Sequence, residues 1–389
     1  MELKEIRQEI DKLDRELIEL FKARMDCARK VGEYKLKNNL PILNTERENE
    51  ILDNVEHSCG EYGYAARQLF ASIMELSRAL QHDIVGSGKE MRALLKNSEK
   101  EPSLPPDQLR VACQGIRGAN SHEAATVLFP SVEPDFYPSW KDVFAAVDEG
   151  RADCGVLPVE NSSAGSVGDV YDLILKYRFY ITKALDLPIN HCLCALKQSE
   201  LEDIEQVWSH PQALSQCSNY IADNKLKAVP FSNTAVAARA VAEEKRLSCA
   251  AICSEQASRE YGLKVLKKGI QNSEDNSTRF IVISKKLYIP ENADKISLCF
   301  CLPHVTGSLH NVLCRFASHG LNLTKIESRP LPGKSFEYLF YLDFTGNVRE
   351  EHVMNLMCAL SEELPEFSFI GNYSESAEGT SSLRSPAQL

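Results

Sequence analysis

Residues 276–284 read NSTRFIVIS. Residues 280–283 are an apolar run rich in β-branched side chains, the composition of a strand inside a sheet. Thr278 and Arg279 place a hydroxyl and a permanent positive charge at the mouth of that strand. A sheet needs neither group there. On its own the pair reads as a chain entering a sheet from solvent, with Arg279 exposed.

The surrounding chain changes the weight of that reading. From residue 111 to about 286, short apolar runs alternate with helical stretches, which is the signature of an α/β domain. Within it, residues 155–158 end a strand and residues 160–168 form a loop rich in Gly, Ser and Asn, able to turn backbone N–H groups toward an anion. Residues 209–212 follow the run IEQVW and precede a helix, so polar groups and helix-terminal donors again meet at a strand end. Such loops, together with Thr278 and Arg279, describe a cleft. We expect this domain to span 109–286.

Further along, residues 296–372 give strand, helix, strand, strand, helix, strand, the βαββαβ order of a ferredoxin-like module. The polar residues 373–389 are expected to be a disordered tail. Upstream, the charged and Pro-rich residues 89–108 read as a linker, and residues 1–88 are helical in pattern, with Pro41 as their single proline.

The first helix carries an apolar stripe of Leu3, Ile6, Ile10, Leu13, Leu17 and Leu20, a heptad-like seam that continues to position 24, which is an arginine. A guanidinium on such a stripe is costly unless it meets a fixed anion or a ligand. Arg7 and Lys35 flank the stripe too far apart, about 40 Å at 1.5 Å per residue, to serve one small ligand from one straight helix. Two antiparallel copies bring them together. The third helix repeats the pattern, with Ser77 interrupting its apolar stripe and Gln81 flanking it, and the second carries Arg47 and Glu48 in its first turns. The set describes a polar pocket in a helical dimer, lined mainly by positive charge and suited to a small dianion.

Composition narrows the classes. The chain has 389 residues, 43% of them hydrophobic, a net charge of −11 and a pI near 5.4. It has no long Lys/Arg run, so we expect no nucleic-acid or membrane partner and a cytoplasmic location. Thirteen cysteines fit a reducing compartment. His191, Cys192 and Cys194 in NHCLCAL have strand spacing with no paired CxxC, so we expect no metal and no cofactor.

Arg7, Arg24, Lys35, Arg47, Glu48, Ser77 and Gln81 resemble, residue by residue, the substrate-binding set of the all-helical chorismate mutase domain. The resemblance implies that Arg24 and Arg47, with Arg7 from a partner subunit, hold the two carboxylates of chorismate. It implies Glu48 on the ring hydroxyl, and Lys35 and Gln81 on the ether oxygen. Asn44 stands where that family usually has aspartate. The stretches VACQGIRGANSHEAA (111–125), GVLPVENSSAGSV (155–167), WSHPQALSQCSNY (208–220) and NSTRFIV resemble prephenate dehydratase. This resemblance implies Thr278 in departure of the ring hydroxyl, Arg279 in anion binding, and Asn161, Ser209 and Gln216 in the cleft. Residues 327–330, Glu327, Ser328, Arg329 and Pro330, resemble the phenylalanine-binding motif of ACT regulatory domains. Gly307 opens the companion motif, here GSLH.

The expected fold class is therefore multidomain: an all-α mutase domain, a two-lobed α/β dehydratase domain and an α+β ferredoxin-like ACT domain. The expected function converts chorismate to prephenate and prephenate to phenylpyruvate, with phenylalanine as effector and a homodimer or higher oligomer. A non-catalytic amino-acid sensor, or an enzyme keeping one of the two activities, remains the alternative at this point.

Overall fold

The computed structural model describes residues 2–273, 275–331, 334 and 337–377. The expected disorder of 378–389 lies outside the described residues. The N-terminal part is all helix: α1 (Leu3–Asn38), α2 (Thr45–Ser58), α3 (Gly63–Val85) and α4 (Lys89–Lys96). α1 ends on Asn39 in the left-handed region, and Asn44 caps α2 by accepting the Arg47 N–H at 3.0 Å. α1 packs on α3 through the buried Gly32, where a Cβ would lie 3.3 Å from the Gln81 Cα. Lack of a side chain there lets the two helices approach closely. α4 corrects the linker expectation for residues 89–96, because MRALLK supplies good helix formers and buries Leu95.

The central part runs β1 (Val111–Gln114), α5 (Asn120–Leu128), β2 (Asp135–Tyr137), α6 (Trp140–Asp148), β3 (Cys154–Asn161), β4 (Gly165–Ser166), α7 (Gly168–Tyr177) and β5 (Tyr180–Pro188). It continues with β6 (Cys192–Ala195), β7 (Gln206–Ser209), α8 (Pro211–Gln216), α9 (Ser218–Asp223), β8 (Lys227–Pro230), α10 (Thr234–Glu244), β9 (Cys249–Cys253), α11 (Glu255–Glu260), β10 (Lys264–Lys267) and β11 (Ser277–Ser284). Two sheets result. One lobe contains the path β5-β11-β3-β1-β2, the other the order β10-β6-β9-β7-β8. The run of residues 280–283 is fully buried in β11, an interior strand antiparallel to both β3 and β5. That register sets Thr278 opposite Asn161 and Arg279 opposite Glu160 and Asp186. Successive side chains leave opposite faces of the strand.

The last part has the expected βαββαβ order: β12 (Lys295–Cys301), α12 (Ser308–Ser318), β13 (Leu323–Pro330), β14 (Tyr338–Thr345), α13 (Glu351–Glu363) and β15 (Ser368–Ala377). By packing, the chain forms two compact units. One joins the helices up to residue 98 with residues 296–369, since α3 packs on α12 and α13; the other holds residues 99–295 and the chain from 370 onward. In the second unit, residues 374–377 of β15 pair in parallel with β5. The tail expectation is corrected for residues 373–377, whose backbone groups are taken up in a sheet. No helix among the described residues is long and apolar enough to cross a membrane.

Candidate active sites

In the helical unit, the close approach of α1 and α3 at Gly32 brings four of the expected residues together. Arg24 Nη1 donates to Ser77 Oγ at 2.7 Å, and Ser77 Oγ donates in turn to the Ile73 carbonyl at 2.8 Å. One turn along α3, Lys35 Nζ donates to Gln81 Oε1 at 3.0 Å. Because the amide oxygen accepts from the ammonium, the Gln81 NH2 group remains the donor side of the amide. Ser77 and Gln81 are buried. Burial pulls the Lys35 pKa below that of an ordinary lysine, with Arg78 adding to the fall and Glu48 opposing it. Glu48 itself takes a charged hydrogen bond from Arg78, a residue that sequence reasoning did not single out. Arg47 is exposed on α2 and pairs with Glu50.

Arg7 stands apart, exposed on α1 and 17 positions before Arg24, about 26 Å along the helix. The stripe around it is open as well: Leu3, Ile6, Ile10, Leu13, Leu17 and Leu20 are all exposed in the single chain.

In the α/β unit, the network centres on Asn161 at the end of β3. Its Nδ2 donates to Thr278 Oγ1 at 2.9 Å, and also lies 3.0 Å from both Asn276 Oδ1 and the Ser277 carbonyl. Its Oδ1 accepts from the Ser163 and Ala164 N–H groups at 3.1 and 3.0 Å, and from Gln212 Nε2 at 3.4 Å. The VENSS loop thus wraps around one amide and fixes it. Accepting a bond from Asn161 leaves the Thr278 hydrogen free to be donated. Gln216 Oε1 accepts from Asn276 Nδ2 at 3.3 Å and bonds His191 Nε2 at 2.9 Å. Burial lowers the His191 pKa, against the Gln216 bond, so the imidazole is neutral near pH 7. Beside His191 opens a cavity of about 650 Å³, lined also by Asn120, Glu123, Thr234, Ser254, Gln256 and Lys268. The first residues of α5 and α10 reach it, bringing helix-terminal N–H donors.

Two further expected residues have partners within the protein. Arg279 does not share the face of Thr278: its guanidinium binds Asp186 at 3.0 and 3.3 Å, Glu160 at 2.9 Å, and Glu375 of β15. Burial opposes the charge, but these three carboxylates outweigh it and raise the pKa. The cation is consumed within the protein. Ser209 is fully buried, and its hydroxyl donates to the Ile252 carbonyl at 2.6 Å, tying β7 to β9. Sequence reasoning missed Asn276, His191 and Gln212 as members of the network. Their signal was present, since each lies within or beside a quoted motif.

In the C-terminal part, Gly307 precedes α12 with φ of 84°, a left-handed conformation that favours glycine. Glu327, Ser328, Arg329 and Pro330 close β13, with Glu327 and Arg329 on its more buried face and Ser328 and Pro330 on its exposed one.

The sequence profile of prephenate dehydratase matches residues 111–287, and that of type II chorismate mutase matches residues 6–82. The bifunctional chorismate mutase/prephenate dehydratase of Aquifex aeolicus is 34% identical over 376 residues, covering 96% of this chain and 98% of its own. The chain belongs to the bifunctional chorismate mutase/prephenate dehydratase family. Arogenate dehydratase/prephenate dehydratase 2 of Arabidopsis thaliana is 34% identical over 365 residues, 87% of this chain and 94% of its own. Among solved structures, the Arthrobacter aurescens prephenate dehydratase in complex with L-Phe superposes with a TM-score of 0.63 at 30% identity, covering 68% of this chain and 90% of that one. Membership over nearly the full length sets aside the amino-acid sensor reading.

Proposed function

We propose that Arg24, Lys35, Glu48, Ser77 and Gln81 form the mutase site and that Thr278 and Asn161 form the centre of the dehydratase site. The chain is a bifunctional enzyme of the phenylalanine pathway, with chorismate mutase and prephenate dehydratase activities.

The mutase reaction breaks the ether C–O bond while a C–C bond forms, with no proton transferred. The site has to compact the substrate and place donors where negative charge grows on the ether oxygen. The observation that carries the assignment is the Lys35–Gln81 pair, which sets an ammonium beside an amide in one hydrogen bond. Arg24, held by Ser77, supplies a fixed guanidinium for one carboxylate. Arg47 meets the second carboxylate after leaving Glu50, and Glu48 receives the ring hydroxyl. A second copy of the chain, antiparallel along α1, covers the open apolar stripe and delivers its own Arg7 to the pocket.

In the dehydratase reaction the ring hydroxyl departs as the ring carboxylate leaves as carbon dioxide, and the bonding electrons of that carboxylate enter the ring. Aromatisation drives the step. The Thr278 hydroxyl, oriented by Asn161, donates its hydrogen bond to the departing oxygen. A neutral His191 stabilises the cleft by bonding Gln216 rather than by giving a proton. The N-termini of α5 and α10 supply an anion grip, and Lys268, paired with Glu255 at 2.8 Å, joins it on leaving that carboxylate. Phenylalanine is the effector, bound through Gly307 and the residues Glu327, Ser328, Arg329 and Pro330.

Time-resolved product analysis of the purified protein given chorismate tests both activities together. Prephenate should rise first and phenylpyruvate follow; prephenate that accumulates without further conversion would remove the second activity. For the effector, calorimetric titration with phenylalanine should show binding that Glu327→Ala weakens. Unchanged binding in that variant would move the effector site elsewhere.

A further inference from the structure

Arg78 lies in α3 between Ser77 and Gln81, yet it faces a different set of partners. Its Nη1 donates to Glu48 Oε2 and its Nη2 to Glu75 Oε1, while Nε lies 3.8 Å from Glu363 Oε2 of α13. Glu363 is held in turn by Arg315 of α12, whose Nη1 donates to Oε2 at 2.7 Å, and by His82, whose Nε2 meets Oε1. Arg315 Nε lies 3.8 Å from Glu75 Oε2. Glu75, Arg78, His82, Arg315 and Glu363 are nearly excluded from solvent, and Glu48 is the member that reaches the mutase pocket.

Burying this many charges is costly, and replacing such a cluster with apolar side chains is often neutral or stabilising. Stability alone therefore gives little reason for it. Its hydrogen bonding is also incomplete: among the described residues, Glu75 Oε2, Arg78 Nε, and Arg315 Nε and Nη2 have no hydrogen-bond partner. Those atoms are held by charge and by packing, so the position of one guanidinium depends on the carboxylates around it. Through Arg78 the cluster fixes one oxygen of Glu48, Oε2, on the guanidinium. A carboxylate on an exposed helix such as α2 would otherwise sample several rotamers.

We propose that Arg78 is a positioning residue of the mutase reaction, aiming Glu48 at the ring hydroxyl of the substrate, and that Glu363 and Arg315 of the C-terminal module hold Arg78 in place. The inference rests on the reading of Glu48 as the hydroxyl acceptor. It makes the geometry of the mutase site depend on side chains nearly three hundred positions away in sequence, so that residues 1–88 do not contain everything their reaction needs.

The test uses the full chain and four variants: Glu48→Gln, Arg78→Lys, the double variant E48Q/R78K, and Glu363→Gln. For each, kcat and KM for chorismate are measured, with circular dichroism and prephenate dehydration as checks on folding. Arg78→Lys keeps the charge but loses the two-pronged fork, so chorismate kcat should fall about tenfold with KM changed less. Glu363→Gln, which touches no substrate, should lower kcat about threefold or more. The double variant should be no slower than Glu48→Gln alone, because the two residues act through one carboxylate. Losses that multiply in the double variant would overturn the proposal. If Glu48→Gln is impaired but Arg78→Lys and Glu363→Gln are not, the positioning role falls and the assignment of Glu48 stands. If Glu48→Gln turns over chorismate normally, the assignment itself falls and the proposal with it. Should Arg78→Lys fail to fold, Glu363→Gln decides, since an unchanged kcat there would end the link to the C-terminal module.

Discussion

Asn161 Nδ2 and Thr278 Oγ1 lie 2.9 Å apart across the β3–β11 pairing, and that one bond determines which way the threonine hydrogen can point. Thr278→Val keeps the β-branched shape and removes only the hydroxyl. It should lower kcat for prephenate dehydration by about 10²-fold with an unchanged circular dichroism spectrum. Normal kcat in the variant would make the residue structural.

Arg279 pairs with Asp186, Glu160 and Glu375, so its removal takes one cation from three neighbouring carboxylates, of which Glu375 keeps Lys295. Arg279→Met should destabilise the α/β unit by about 2 kcal/mol, the site being partly exposed. KM for prephenate should change little in enzyme that remains folded. A large rise in KM at unchanged thermal midpoint would return the side chain to anion binding.

In the proposed mutase site Lys35 has to be charged to face an oxygen that gains negative charge, and burial lowers its pKa from the ordinary 10.5. Mutase kcat/KM should therefore decline on the alkaline side before a free lysine would titrate. In Lys35→Arg, which stays protonated, that limb should vanish at whatever residual rate survives. The measurement is the pH profile of chorismate turnover, and an alkaline limb surviving in the arginine variant would assign it to another group.

Glu363 is pushed up by burial but pulled down more by the His82 hydrogen bond and by Arg315 and Arg78, to a pKa of about 2 from 4.5. A carboxyl whose folded pKa lies below its unfolded value adds stability above the unfolded pKa and loses it as pH falls. The unit containing Glu363 should thus weaken between about pH 4.5 and pH 2, and Glu363→Gln should flatten that part of the curve. Urea midpoints at several acidic pH values give the comparison. An equal slope in the variant would place the acid sensitivity elsewhere.

Much of this architecture could be read from the sequence because its signals are local. The 3.6-residue stripes gave α1 and α3, and the interruptions at Arg24 and Ser77 marked two residues that bond each other. The run at 280–283 marked an interior strand. What the sequence did not convey was the pleat: Thr278 and Arg279 are adjacent and so face opposite ways on β11, and the carboxylates that meet Arg279 come from β3, β5 and β15. The bond of Ser209 to the Ile252 carbonyl was not legible either, because a motif shows which residues stand together and not where a hydroxyl points. The contact of Arg78 with Glu363 had no sequence signal at all. It depends on how α3 packs against α13, which no periodicity within either helix encodes.

The place of β15 bears on how the molecule is made. β5 lies between β11 and residues 374–377, so one of its edges stays open until those residues have left the ribosome. About 190 residues separate the two partners, and at about 5–20 residues per second the wait is about 10–40 s. During that interval β5, with Ala184, Leu185 and Leu187 in its core, presents an unpaired edge beside a nearly finished domain. A nascent chain halted before residue 374 would be left with that edge, and residues 374–377 act as its cover.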